Sequence, residues 1–166
     1  MKVLLTGSEG QLGFSIKKSI PKGIELLSLN RNEFDLSKTN KIKISSGIAN
    51  VYARDADASA QAANTLNEFS DGRFSLGLGV SHPLLVEPRG HKWIPPVTKM
   101  NLYLDKLRVA PIQSPLAKKP AQIIVAGHAP GLQKVAAKKA DGLFLFLQTL
   151  DTVRNAKKII GPEKAL

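Results

Sequence analysis

The chain of 166 residues contains no cysteine. Disulfides, thiolate metal sites and cysteine nucleophiles are therefore excluded, and the absence fits a reducing compartment. Aromatic residues are scarce, with one Trp, two Tyr and six Phe. They do not interleave with the basic residues, so no stacking platform for single-stranded nucleic acid is evident. No apolar run approaches the roughly 20 residues of a membrane-spanning helix. The first residues enter a strand and a glycine-rich turn instead of a secretory signal, and a soluble, cytoplasmic protein is expected. Acidic residues are the other shortage: 13 Asp and Glu face 24 Lys and Arg, leaving a formal charge of +11. Lysines dominate and fall at helix-surface spacings, as in Lys17-Lys18, Lys138-Lys139 and Lys157-Lys158. Without a helix-turn-helix or zinc-finger spacing, this reads as a solvated basic surface that steers phosphorylated cofactors, not as a nucleic-acid interface.

What is present is organised around Arg73-Phe74-Ser75-Leu76-Gly77-Leu78-Gly79-Val80-Ser81-His82. An apolar run holding two glycines leads into a polar elbow, the pattern of a buried parallel strand that delivers its carboxyl end to a site. Glycine there lets a flat ligand approach the main chain, while the plain alternative is a core strand with two small residues.

The opening carries a second signal. Met1 to Thr6 reads as a strand, Thr6-Gly7-Ser8-Glu9-Gly10-Gln11-Leu12-Gly13 as a phosphate-cradling turn, the residues through Ile20 as a helix, and Ile24 to Leu29 as a second strand. Met1 to Gly7, Gly10-Gln11-Leu12-Gly13 and Glu33-Phe34-Asp35-Leu36 resemble the amino terminus of dTDP-4-dehydrorhamnose reductases, extended short-chain dehydrogenases. The resemblance implies that Gly7, Gly10, Gln11 and Leu12 face the pyrophosphate of a nicotinamide cofactor. It also puts Arg31 beside the ribose, with a lean toward NADP, and Asp35 beside the adenine. It ends near residue 40. The Tyr-x-x-x-Lys pair of that family is missing, because Tyr52 is followed four positions on by Ala56 and Tyr103 by Leu107.

From Lys41 strand–helix units repeat. A strand is expected over residues 42–48, then a helix capped by Asp55 or Asp57 with Ala58, Ala62, Leu66 and Phe69 on its inner face. Pro95-Pro96 starts a helix with Val97, Met100, Leu104 and Leu107 on one side, and residues 109–120 form a loop. Gln122 to Ala126 is a strand; Pro130-Gly131 opens a helix burying Leu132, Val135 and Ala136. Leu143 to Leu147 is a strand, and Asp151 caps a last helix that ends at Gly161-Pro162.

Residues 46–55, 69–82 and Ala140-Asp141-Gly142 resemble the luciferase-like monooxygenase family, and most closely its deazaflavin-dependent oxidoreductases. The resemblance implies a β/α barrel that binds a deazaflavin or FMN at the carboxyl ends of its strands. It puts Gly47 and Ile48 against the ring, Gly79, Val80 and Ser81 in the same cavity, and His82 near the reacting face. Gly127, His128 and Gly131 would hold the cofactor phosphate at a helix start. The matched strands correspond to the third to sixth of that barrel.

The resulting expectation is an α/β protein with a mainly parallel sheet of about six strands. A Rossmann-like dinucleotide-binding fragment (1–40) would be fused to an incomplete TIM-type barrel (41–166), with possible homodimers through the open side. The leading function is flavin- or deazaflavin-dependent hydride transfer to a small-molecule substrate, with weak or no turnover. The alternatives are an NADP-dependent nucleotide-sugar reductase and a non-catalytic nucleotide-binding remnant. His82, His91 and His128 lack metal-ligand spacing, so no metal is expected. Trp93 beside Pro95-Pro96 reads as a packing plug.

Overall fold

The computed structural model describes residues 2–6, 8–30, 32 and 42–166, and the chain divides into two compact units, Met1–Ile42 and Lys43–Leu166. In the first unit β1 (Lys2–Thr6) leads through a turn into α1 (Gln11–Ser19), and β2 (Glu25–Leu29) pairs with β1 in parallel. Gly10 stands at the N-cap of α1, and the buried Ser8 donates its N–H to the Leu29 carbonyl at 3.3 Å. Ile20, held extended by the following Pro21, ends the helix.

In the second unit one strand is expected over residues 42–48; the structure has β3 (Ile44–Ser45) inside that range and a separate β4 (Ala49–Asn50) just beyond it. They are followed by α2 (Ala56–Phe69), β5 (Phe74–Gly79), the short α3 (Pro83–Val86), α4 (Pro96–Arg108), β6 (Gln122–Ala126), α5 (Pro130–Lys139), β7 (Gly142–Phe144) and α6 (Leu150–Ile160). Both β3 and β4 pair with β5, β5 with β6 and β6 with β7, all in parallel. Every residue of β5 is buried, as a strand covered on both faces requires. Helices α2, α4, α5 and α6 pack on one another in chain order. Strands neighbouring in sequence are neighbours in the sheet, which is the order of a β/α barrel segment; a doubly wound sheet reverses direction partway. The expected six-stranded sheet appears, among the described residues, as one sheet of two strands and one of five strand segments.

Three local expectations need correction. The inner face of α2 is Ala56, Ser59, Ala63 and Asn67, while Leu66 and Phe69 are exposed. Polar hubs decide this face. Asn67 Nδ2 donates to the Lys119 carbonyl (2.5 Å) and its Oδ1 accepts from the Phe74 N–H (3.1 Å), while Ser59 Oγ lies 2.6 Å from the Tyr103 hydroxyl. The last strand stops at Phe144, and Leu147 sits at φ +48°. The cap of α6 is Thr149, whose Oγ1 accepts from the Thr152 N–H (3.3 Å); Asp151 lies inside the first turn and pairs with Arg154.

The same polar row of α2 fastens the loop after α4. Gln61 donates to the Pro111 carbonyl and accepts from the Gln113 N–H, and Asn64 donates to the Pro115 carbonyl and accepts from the Ala117 N–H. With Asn67 on Lys119, three amides spaced three residues apart engage one backbone group at each of residues 111, 113, 115, 117 and 119.

Candidate functional site

The site begins with a miscount between strands. Ser45 pairs with Ser75 and Ala49 with Leu78, so β3–β4 takes four steps where β5 takes three. One residue too many is a β-bulge, and it lifts Ser46-Gly47-Ile48 away from the ladder. The Gly47–Ile48 peptide bond within it is cis. Ser46 replaces the lost ladder bonds with its side chain: Oγ donates to the Gly77 carbonyl and accepts from the Gly77 N–H, both at 2.9 Å. The glycines of β5 make room. A Cβ on Gly77 would lie 2.0 Å from the Ser46 carbonyl oxygen, and one on Gly79 would lie 2.4 Å from Ile48 Cδ1. The sequence assigns this smallness to a flat ligand, whereas the structure uses it first to seat the neighbouring strand.

The bulge, the carboxyl end of β5 and the turn after β6 enclose one cavity of about 820 Å³. Gly47, Ile48, Gly79, Val80, Ser81, Gly127 and His128 all line it, together with Pro96 and Val97 of α4, Ala129 and Leu132 at the start of α5, and Phe144 and Phe146. A Cβ on Gly47 would meet nothing within 4 Å. Ser81 adopts φ +62°, the left-handed elbow that turns the chain out of β5. A Cβ on Gly127 would lie 2.5 Å from Leu132 Cβ, so this glycine lets the turn after β6 lie against α5.

Other sequence-predicted residues are placed elsewhere. His82 is exposed and outside the lining; its Nδ1 accepts from the Leu84 N–H (3.3 Å) as the cap of α3. Gly131 is also outside the lining, and its missing Cβ makes way for Val97 Cγ2, 2.7 Å from where it would stand. Gly10, Gln11 and Leu12 are exposed at the start of α1 in the first unit. Gly7, Arg31 and Asp35 lie outside the described residues.

His128 is the one ionisable side chain in the lining. Its carbonyl accepts from Nε2 of the buried Gln133 (2.8 Å), which fixes the turn, and its ring is exposed at the rim. Apart from Ser81, the remaining wall is apolar side chains and backbone. Such a wall suits the flat, mostly apolar face of a ring system, with orientation left to main-chain groups, and the volume lies in the range of small-ligand sites. Sequence reasoning missed Phe144 and Phe146, although their i, i+2 spacing in an expected strand puts both on one face.

The tyrosines do different work. The Tyr52 hydroxyl accepts from the Ile94 N–H (2.9 Å) and lies 3.2 Å from the Ile94 carbonyl, and its ring stacks on Trp93 at 5.7 Å. Trp93 is thus a packing residue. Burial raises the Tyr103 phenol above its ordinary value, against the lowering effect of its bond to Ser59.

The family model described as luciferase-like monooxygenase matches residues 36–159. The chain belongs to the luciferase-like monooxygenase family. Among relatives, a 5,10-methylenetetrahydromethanopterin reductase of Methanolobus tindarius is 40% identical over 60 residues, 36% of this chain and 18% of the relative. The solved coenzyme F420 dependent tetrahydromethanopterin reductase from Methanopyrus kandleri superposes with a TM-score of 0.57 at 17% identity, over 96% of this chain and 59% of that one. An F420-dependent secondary alcohol dehydrogenase, solved with an F420-acetone adduct, superposes with a TM-score of 0.61 at 15% identity, over 78% of this chain and 49% of that one. At these identities the solved structures speak for the fold alone. The chain thus spans a fraction of each relative's length. In this luciferase-like chain the cavity stands at the carboxyl ends of parallel strands, where barrels of this architecture carry their sites.

Proposed function

We propose that this chain binds a deazaflavin of the coenzyme F420 type in the cavity at Gly47, Gly79 and Gly127, as part of a hydride-transferring oxidoreductase. The observation that carries the proposal is the convergence of the β3–β4 bulge and the ends of β5 and β6 on one apolar cavity large enough for a tricyclic ring. The names of the relatives favour a deazaflavin over FMN. The cofactor, when bound, supplies the hydride chemistry. The chain's own part is to present Gly47-Ile48 and Gly79-Val80-Ser81 to the ring, to exclude water with Val97, Phe144 and Phe146, and to offer His128 at the rim. His128 takes over the role that the sequence assigns to His82.

Titration followed by absorbance and fluorescence tests this reading. Deazaflavin is expected to bind saturably and more tightly than FMN. Gly47→Leu, whose new side chain enters open space, should weaken binding at least about tenfold with an unchanged urea midpoint. Unaltered affinity in Gly47→Leu would overturn the site.

A second proposal concerns the first unit by itself. The β1–α1–β2 order with Gly10 at the helix start favours a nicotinamide nucleotide near Gly10, Gln11 and Leu12. A titration with NADPH that stays silent would remove it.

A further inference from the structure

A second hollow of about 340 Å³ opens between the start of α2 and α4, apart from the cavity above. Arg54, Lys99 and Lys106 line it with Tyr52, Tyr103 and Asp55. Lys99, Tyr103 and Lys106 follow at i, i+4 and i+7, so α4 presents them on one face. Asp55 is the one carboxylate present, and its Oδ1 is engaged by the Ala58 N–H at 2.7 Å as the cap of α2. Among the described residues the ion pairs are Lys139–Asp105 and Arg154–Asp151, so the three cations that line the hollow have no salt-bridge partner. Three like charges around one concave site raise the local positive potential and favour an anion there. Lys99 meanwhile rests its ammonium 4.3 Å from the centre of the Tyr52 ring, a weak partner that an anion readily replaces.

We propose that this hollow is an anion site that takes a phosphate group, either free phosphate or the phosphate of a small monoester. Arg54 supplies a planar fork for two phosphate oxygens, and Lys99 and Lys106 supply point charges. The tyrosine hydroxyls are already engaged, with Ile94 for Tyr52 and Ser59 for Tyr103, and serve as wall. The hollow exceeds one phosphate ion in volume, which leaves room for a short organic group.

The molecule carries its own reporter. Trp93, the single tryptophan, stacks on the Tyr52 ring that Lys99 covers, so drawing Lys99 toward an anion changes the surroundings of the indole. Inorganic phosphate and glycerol phosphate are titrated separately at constant ionic strength, with potassium chloride as the control, following Trp93 fluorescence and the thermal midpoint. A saturable response to either ligand with none to chloride is expected; the tighter of the two identifies the source. Lys99→Gln and Lys106→Gln should each weaken binding about tenfold, while Lys138→Gln, elsewhere on the basic surface, leaves it unchanged. The proposal is overturned if neither phosphate gives a saturable change in either signal up to about 10 mM. It is equally overturned if Lys138→Gln weakens binding as much as the two pocket variants, because the response then belongs to the net charge.

Discussion

Adding a single methyl group at Gly77 and at Gly79 should have different consequences, although the two glycines are two residues apart in one strand. At Gly77 the new Cβ stands 2.0 Å from the Ser46 carbonyl oxygen and 3.2 Å from its carbon, both backbone atoms. Relief requires moving the bulge by more than an ångström. That movement also breaks the two 2.9 Å bonds between Ser46 Oγ and Gly77. Overpacking at the upper end of its range, about 3 kcal/mol, and about 1 kcal/mol for the lost bonds give about 4 kcal/mol for Gly77→Ala. At Gly79 the clash is with Ile48 Cδ1 at 2.4 Å and Cγ1 at 2.9 Å, a side chain that can rotate away. Its cost is about 1 kcal/mol. The rotated Ile48 has the cavity to move into, so ligand affinity falls more in Gly79→Ala than its stability does. Urea unfolding by circular dichroism measures the first quantity and deazaflavin titration the second. A loss under about 1 kcal/mol for Gly77→Ala, or a larger loss for Gly79→Ala than for Gly77→Ala, would refute the bulge as the reason for these glycines.

Asn67→Ala should cost about 3 kcal/mol in urea, because it leaves the Phe74 N–H and the Lys119 carbonyl without partners beside a side chain that is 1% exposed. Thr149→Ala should lower stability by about 1 kcal/mol while Asp151→Ala stays within about 0.5 kcal/mol, since Thr149 makes the cap and Asp151 an exposed i, i+3 pair. Burial holds the Tyr103 phenol above 10.0 in the folded state. The unfolded chain therefore loses that proton first, and the contribution is complete below the ordinary phenol range and lost as pH rises through the raised value. Tyr103→Phe should flatten this alkaline limb relative to the native chain, and parallel stability–pH curves above pH 10 would contradict the assignment.

Most of the strand–helix grammar of residues 43–166 was legible because β5, β6 and the helices carry their period in apolar side chains. The glycine-edged stretches at Gly47, Gly79 and Gly127 were also legible as one group, and the fold brings them to one cavity. Three features were not. The inner face of α2 is set by Asn67 and Ser59, polar residues that periodicity assigns to solvent until their partners on Lys119, Phe74 and Tyr103 are known. The bulge depends on register between strands distant in sequence, which a single strand's pattern does not encode. His82 and His128 look alike as residues following strand ends, and only the chain's direction beyond the strand decides which imidazole stands at the cavity. At Ser81 the left-handed elbow sends His82 into the start of α3.

The connection between α4 and β6 behaves unlike most surface loops because of how α2 holds it. Gln61, Asn64 and Asn67 engage its peptides at 111, 113, 115, 117 and 119 as teeth engage a rack. Losing or gaining one residue there would put every later peptide out of phase with its amide. This connection should therefore tolerate side-chain changes at Lys118 far better than any change in its length, the reverse of the usual permissiveness of loops to insertion.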